Sequence, residues 1–282
     1  MLDGEPPKTL LREAIRGAER LHRVALEELH SGKIARHTPG SLATVAVAMA
    51  TTHHATAQIF RQLQPQAVRV IPGSMGSELA VQLTDSSLAA EQAGDAWADV
   101  RTRWRGLRAA SEHGPADVIR REATDLTTRV GRLVHSDPRW LPSLHADKRL
   151  RPGDELAAHP DALWDLLSGL RELSSVTAEI ASDHVGLIRA LQHQELILVR
   201  TRTLPLEHDV ARPWSVAPRS TVQSLLFAQH HATATSRQSW TMTLSLSEQE
   251  QRRQGRGETI DLERRRMARS PWSKRDDRGR SR

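Results

Sequence analysis

The amino-acid sequence predicts an all-α protein: an antiparallel bundle of about six helices, two of them long, followed by a disordered basic tail. Leucine and isoleucine recur at steps of three and four over residues 161–204, the spacing that lines side chains along one helix face. A second stripe with this spacing covers residues 79–107. Aromatic residues make up only 3% of the chain, so we expect a core of closely packed aliphatic helices rather than a β-sandwich.

The first two helices are predicted over residues 8–31 and from Ser41 to about Leu63. Apolar residues of the first follow a helical stripe, and Gly32 is a favoured C-cap residue. Ser41 is a favoured N-cap, and the apolar first half of its helix indicates a central position. Residues 65–73 include the run AVRVI, which we interpret as an extended loop because a lone strand has no partner.

The stripe over residues 79–107 predicts a third, long helix. Trp97 and Trp104 lie one heptad apart in it, which is typical of two core anchors; an exposed ligand-stacking surface is the alternative. Gly114 and Pro115 end this helix, and a fourth is predicted over residues 116–135.

Residues 136–159 are rich in proline and charge, so we interpret them as a linker that can divide the bundle into two subdomains. The long fifth helix follows over residues 161–204, and its His184 is interpreted as a polar register-setting residue. The sixth helix is predicted over residues 220–240. The bundle is therefore assigned to residues 1–240 and the mostly disordered tail to residues 241–282.

Composition excludes several classes of function. The chain has no cysteine, which excludes disulfides, thiolate catalysis and cysteine-ligated metal sites. It shows no serine nucleophile elbow, phosphate-binding glycine loop or dinucleotide fingerprint. The start, MLDGEPPK, lacks the order of a secretory signal, and the longest apolar run is too short for a bilayer. We therefore expect a cytoplasmic protein without a membrane partner.

The positive charge of the chain is concentrated at its C-terminus. The whole chain carries a net charge of +6, while residues 251–282 hold twelve Lys or Arg against five Asp or Glu. Residues 1–250 are therefore close to neutral. Such a basic segment can neutralise phosphates with little regard to sequence, and Trp272 can stack on an unpaired base. The candidate nucleic-acid-binding residues are Arg252, Arg253, Arg256, Arg264, Arg265, Arg266, Arg269, Trp272, Lys274 and Arg275.

The basic tail also fits other roles. An acidic protein partner, an anionic membrane surface and a solubilising role all suit a basic segment. The first functional hypothesis is a non-enzymatic interaction or scaffold protein that associates with a protein partner or with itself through its helices, with the tail contacting nucleic acid.

The second hypothesis is a metal-binding bundle. The pentapeptide HHATA occurs twice, and its histidines His53, His54, His230 and His231 are candidate ligands for zinc or another transition metal if the two helices face each other. The repeat also suggests a diverged duplication. The competing interpretation is that each inner histidine forms a hydrogen bond inside the bundle and each outer one is solvated.

Overall fold

In the computed structural model of the chain, the described residues are 7–30, 39–71, 74–105, 116–135, 155–200 and 219–254. They form six helices and, within these ranges, no strand, so the all-α prediction is confirmed. The helices are α1 (Pro7–His30), α2 (Pro39–Val70), α3 (Ser74–Arg105), α4 (Ala116–His135), α5 (Glu155–Arg200) and α6 (Arg219–Gln254).

The six helices pack in a closed ring. The main contacts follow the order α2, α3, α6, α5, α1, α4 and back to α2, and α2 also contacts α5 across the ring. Neighbouring pairs such as α2 with α3 and α3 with α6 run antiparallel. Between α3 and α6, for example, Asp99 lies against Ser224 and Arg103 against Ser220.

One apolar cluster fills the interior and takes buried residues from all six helices. The stripe predicted for α5 is inward, since Leu163, Leu170 and Ile180 are buried. The cluster is therefore continuous between the helices that precede the predicted linker at residues 136–159 and those that follow it. Burying this much aliphatic surface is the main force that holds the ring together.

Helix α6 is longer than the sequence predicts, because it continues past residue 240 to Gln254. The predicted end of the sixth helix at residue 240 was therefore wrong. Met242 and Leu246 are buried there, together with Thr243 and Ser247. The Thr243 hydroxyl donates a hydrogen bond to the Trp240 carbonyl, 2.7 Å away. A hydroxyl whose hydrogen bond is made within its own helix can face the interior at little cost. The inward face of α6 therefore continues past residue 240 and includes small polar residues as well as apolar ones.

The prediction of an extended loop was also wrong for residues 65–71, whereas residues 72 and 73 lie outside the described residues. Helix α2 passes through Pro65 and ends at Val70, and the Ile71 amide donates to the Ala67 carbonyl at 3.0 Å. Ala67 and Ile71 are buried, so apolar packing holds this turn although proline lacks the amide that would continue the helical hydrogen bonds. The start of α3 lies close to this end of α2, since a Cβ on Gly76 would lie 2.3 Å from the Ile71 carbonyl oxygen.

The start of α5 differs from the prediction, and both ends of α4 agree with it. Helix α5 begins at Glu155, inside the segment predicted as linker, whereas α4 has the predicted bounds. None of the helices described combines the length and hydropathy that a bilayer span requires.

Candidate interaction surface

The residues predicted to bind nucleic acid lie at or beyond the end of α6. Arg252 and Arg253 belong to its last turn, where the backbone alone is described. The others lie outside the described residues, so their predicted role stays a prediction. They are Arg256, Arg264, Arg265, Arg266, Arg269, Trp272, Lys274 and Arg275.

Of the first HHATA histidines, His53 faces the interior of the bundle and His54 faces its surface. His53 is 1% exposed, and among the described residues its Nε2 has no hydrogen-bond partner. Burial, followed by the charge of His54, lowers the pKa of His53 to about 3, so the ring is neutral. His54 is exposed and lies on Gly94 of α3, with its Nε2 3.1 Å from Asp95 Oδ1.

The second pair has the opposite arrangement on α6. His230 is exposed and His231 is partly buried, with the ring of His231 4.2 Å from that of Phe227, centroid to centroid. Burial, followed by the charge of His230, lowers the pKa of His231. Equivalent positions of the repeat therefore lie in different environments, so the pairs are not interchangeable even if the helices share an origin.

These histidines do not form a ligand set with one another in the described structure. Helices α2 and α6 are not main neighbours in the ring, because α3 lies between them. Within the described ranges, no three His, Asp or Glu side chains are grouped closely enough to hold a metal ion. The metal-binding alternative thus stays a prediction without support from the geometry.

The outward face of α3 carries acidic and aliphatic side chains but no basic ones over residues 74–100. Residues 74–100 contain five Asp or Glu and no Lys or Arg. In the first half of the helix, two exposed acids alternate with exposed aliphatic residues, Val81 at 60% and Leu88 at 54% exposure. We call the set Glu78, Val81, Asp85 and Leu88 the α3 stripe; its spacing places all four on one side of the helix.

The acids of the α3 stripe differ from those further along the helix. Glu91 forms an ion pair with Arg61 of α2, and Asp95 is paired with His54. Among the described residues, by contrast, no cation or hydrogen-bond donor lies within contact distance of Glu78 or Asp85. The α3 stripe therefore combines uncompensated negative charge with aliphatic surface left in water.

The second half of α3 borders an open groove against α6 of about 410 Å³, which we call the α3–α6 groove. The Ser224 hydroxyl donates to Asp99 Oδ2 at 2.5 Å, and Arg103 Nε donates to the same oxygen at 2.9 Å. Arg103 also donates to the Ser220 hydroxyl. The lining residues are Gln92, Asp95, Ala96, Asp99, Arg103, Ser220, Gln223, Ser224 and Phe227.

The α3–α6 groove combines a charged pair, Asp99 and Arg103, with an exposed apolar side chain. Partial burial by itself raises the pKa of Asp99, but the hydrogen bonds from Ser224 and Arg103 and the charge of Arg103 outweigh it and lower the pKa below the usual value. Asp99 is thus an anion fixed by its donors. Phe227, 53% exposed, forms the apolar border. The groove can receive an apolar side chain next to a cation.

Sequence reasoning missed the α3 stripe because it followed the inward positions of α3. The available signal was Val81 and Leu88, two aliphatic residues seven apart that fall off the core stripe. The contacts of His22 with α5 also have no signal in the sequence. In the described structure its Nε2 lies 2.5 Å from Asp183 Oδ2 of α5, and its Nδ1 lies 3.8 Å from Glu179.

Comparison with known proteins gave no match, whether to a protein-family model, to a curated protein or to a solved structure. The function must therefore be inferred from the geometry and chemistry of this chain alone.

Proposed function

We propose that this chain is a non-enzymatic interaction protein whose bundle associates with a protein partner through the outward face of α3 and whose basic C-terminal segment contacts nucleic acid. The observation that carries the proposal is the α3 stripe. Val81 and Leu88 remain largely exposed, although the interior of the bundle is well filled by aliphatic residues. Exposed aliphatics flanked by charge on one helix face are typical of a helix-docking surface.

The chemistry of the α3 stripe defines a suitable partner. A helix with aliphatic residues seven apart would cover Val81 and Leu88. A Lys or Arg between those residues would meet Asp85, and further cations would meet Glu78 and the acids at the groove. The partner class is therefore a basic amphipathic helix.

The nucleic-acid part of the proposal is supported by charge. Residues 255–282 hold ten Lys or Arg against five Asp or Glu, and phosphate neutralisation by such a segment gives salt-sensitive binding without sequence preference. Trp272 adds a stacking group for unpaired bases.

Removal of residues 255–282 tests this part, because it leaves α6 whole to Gln254. Retention of the full chain by single-stranded and double-stranded DNA is expected to fall steeply between about 50 and 200 mM salt. The shortened chain should bind at least tenfold more weakly at low salt, with unchanged helical circular dichroism. Equal binding by the two chains would refute the nucleic-acid contact.

Two variants that remove charges of opposite sign test whether charge causes the binding. Replacing Arg264, Arg265 and Arg266 with Gln should reduce the slope of log K against log salt by about 2 to 3 on duplex DNA. Replacing Asp276 and Asp277 with Asn, in the same segment, should instead strengthen binding. If both variants shift binding in the same direction, charge is not the cause.

A further inference from the structure

We infer that the α3–α6 groove is a binding subsite for an arginine side chain, and that this arginine belongs to the partner helix which covers the α3 stripe. The subsite is inferred from the groove alone, whereas its place on the partner helix rests on the proposed function. The experiments below let either part fail without the other.

The groove offers hydrogen-bonding groups that the bundle itself does not use. Among the described residues, the donors that contact Asp99 all bind its Oδ2: the Ser224 hydroxyl at 2.5 Å, and Nε and Nη2 of Arg103 at 2.9 Å each. Within the same ranges, Asp99 Oδ1 has no donor, and the side-chain amides of Gln92 and Gln223 form no hydrogen bond. These groups can therefore bind a ligand.

The charge of the groove favours a cation. Two carboxylates, Asp95 and Asp99, line it against one guanidinium, Arg103. Arg103 is bound by Asp99 and the Ser220 hydroxyl, so its charge is compensated within the bundle. The side chain of Asp95 is 71% exposed, and the only polar group that contacts it among the described residues is the imidazole of His54. An incoming cation therefore meets an accessible carboxylate.

An exposed aromatic ring forms the border of the groove on α6. Phe227 is 53% exposed, although His231 packs against its ring. A guanidinium stacks on an aromatic face, while the methylene stem of arginine packs on apolar surface such as that of Ala96. The groove volume of about 410 Å³ is near the lower end of the roughly 300–1,000 Å³ typical of ligand pockets. It therefore suits a single long side chain.

Arginine fits these groups better than lysine. Its planar guanidinium presents several N–H donors in a fixed fork, so it can bond to Asp95 and a neighbouring acceptor while its face lies on Phe227. The ammonium of lysine is a compact, strongly hydrated point charge that cannot stack. We therefore expect the groove to bind arginine several-fold more tightly than lysine.

The groove continues the spacing of the α3 stripe. Beyond Leu88, the residues Gln92, Asp95 and Asp99 follow at steps of four, three and four, which keeps them on the same side of α3. Asp95 lies seven residues beyond Leu88, or about 10 Å at about 1.5 Å per residue. A partner helix whose aliphatic residues cover Val81 and Leu88 presents its next heptad position to Asp95. The arginine is assigned to that position.

Fluorine NMR of the full chain tests the subsite, because the chain has only two phenylalanines. With 4-fluorophenylalanine at both positions, Phe227 reports on the groove, and Phe60, 0% exposed, is the internal control. N-acetyl-arginine methylamide should shift the Phe227 resonance saturably, with half-saturation at about 1–10 mM for so small a ligand, and leave Phe60 unchanged. The neutral isostere N-acetyl-citrulline methylamide should not do so. No saturable shift, or equal shifts from the two ligands, would overturn the subsite.

Two variants of α3 test whether the arginine binds at Asp95. Asp95→Asn should weaken arginine binding at least fivefold, because it removes the accessible carboxylate of the groove. Glu91→Gln removes the same charge one helical turn earlier, where Glu91 is paired with Arg61 and does not line the groove, and should weaken binding less than twofold. Equal effects of the two variants would overturn the assignment of the arginine to the groove.

Helical peptides test the place of the arginine on a partner helix. The probes are basic amphipathic peptides with two leucines seven residues apart and an arginine seven residues beyond, one peptide for each direction along α3. In the control peptides citrulline replaces that arginine. The full chain should bind one arginine peptide at least fivefold more tightly than its control, and Leu88→Ser should weaken the binding of both.

The outcomes separate the inference from the proposed function. Equal binding of the arginine peptide and its control, abolished by Leu88→Ser, would keep the proposed function and overturn the inference. Binding of neither peptide, with the shift of Phe227 by arginine intact, would refute docking on the α3 stripe and keep the subsite.

The Phe227 resonance also tests the two other sources of an arginine, the chain's own basic segment and a second copy of the chain. Without ligand, neither deletion of residues 255–282 nor dilution should move it. A shift on deletion would assign the groove to the chain's own segment, and a shift on dilution would assign it to a second copy. Either shift would overturn the assignment to a partner helix.

Discussion

The indole of Trp97 and the imidazole of His184 meet edge to face in the interior, with centroids 5.6 Å apart and ring planes at 81°. Trp97 is 0% exposed and His184 is buried. The Nδ1–H of His184 donates to the Ile180 carbonyl at 2.8 Å. This contact joins α3 to α5 across the ring, and it confirms the interpretation of Trp97 as a core anchor. The side chain of Trp104 lies outside the described residues.

Replacing Trp97 with alanine is expected to reduce the free energy of unfolding by about 3 to 5 kcal/mol, the cost of emptying a large core site. The matched control is Trp240→Ala. Trp240 is only partly buried, and Arg171 lies over its ring at 4.4 Å; a cation–π interaction of this kind contributes about 1 kcal/mol. Urea unfolding followed by circular dichroism measures both, and similar costs for the two variants would contradict the packing described.

The burial of His53 makes stability depend on pH. Its folded pKa is about 3, below the ordinary value of about 6.5 for the unfolded chain. Between these values the unfolded state binds the proton and the folded state does not. Stability therefore falls as pH decreases below about 6.5, with a slope contribution of up to about 1.4 kcal/mol per pH unit.

His53→Leu is expected to remove that contribution. The difference in unfolding free energy between pH 7 and pH 5 should shrink by about 2 kcal/mol relative to the native chain. The control is His230→Leu at an exposed position, which should leave the difference nearly unchanged. A native-like pH dependence in His53→Leu would mean that other groups carry it.

The close approach of the start of α3 to the end of α2 depends on Gly76. An added Cβ would lie 2.3 Å from the Ile71 carbonyl oxygen. This is a backbone atom of a buried residue at the end of α2, so Gly76→Ala should destabilise the fold by more than about 1 kcal/mol. Gly131 of α4 has nothing within 4 Å of its would-be Cβ. Gly131→Ala should instead stabilise by about 0.5 to 1 kcal/mol. Thermal unfolding of the two alanine variants should shift in opposite directions.

Ion pairs between α1 and α4 contribute a smaller, salt-sensitive part of stability. Arg20 of α1 reaches Asp125 of α4 at 3.0 Å, and Arg129, one turn further along α4, reaches the same carboxylate at 2.9 Å. The hydrogen bond from Arg129, outweighing partial burial and aided by nearby charge, lowers the pKa of Asp125. The stabilisation that the ionised Asp125 gives the folded state is therefore fully present above the ordinary carboxyl pKa, and it is lost as pH falls through the lowered pKa.

Asp125→Asn is expected to cost about 0.5 to 1 kcal/mol at low salt, because these side chains are partly exposed and solvent weakens their attraction. The cost should decline in about 1 M salt, where the charges are screened. A cost that salt does not change would indicate packing rather than charge.

The fold class and most helix positions were predictable from the sequence because apolar periodicity marks the buried helix faces and Gly or Pro marks helix ends. The bounds of α4 were predicted correctly, since Gly114 and Pro115 precede it. The end of α6 was not, because its inward residues include Thr243 and Ser247, and threonine and serine do not mark a buried face in a sequence. Pro65 is typical of a helix end, yet the packing of Ala67 and Ile71 continues α2 beyond it.

The candidate surface was harder to predict than the core. The periodicity of α3 identifies its inward face, but which outward acids find a cation depends on α2, which supplies Arg61 and His54 to Glu91 and Asp95. The sequence alone therefore cannot distinguish the paired acids, Glu91 and Asp95, from the exposed acids of the α3 stripe. Similarly, the HHATA motif does not reveal which histidine of a pair is inward.

The order of helices around the ring has a consequence for synthesis on the ribosome. Helix α5 closes the ring against α1, and α6 closes it against α3, so a nascent chain that has emerged only through α4 has two unsealed apolar edges. Those edges are covered only once residues 155–254 have left the exit tunnel. Completion of the fold must therefore wait for translation of residues 155–254, and α1 and α3 are the helices whose apolar edges stay uncovered longest.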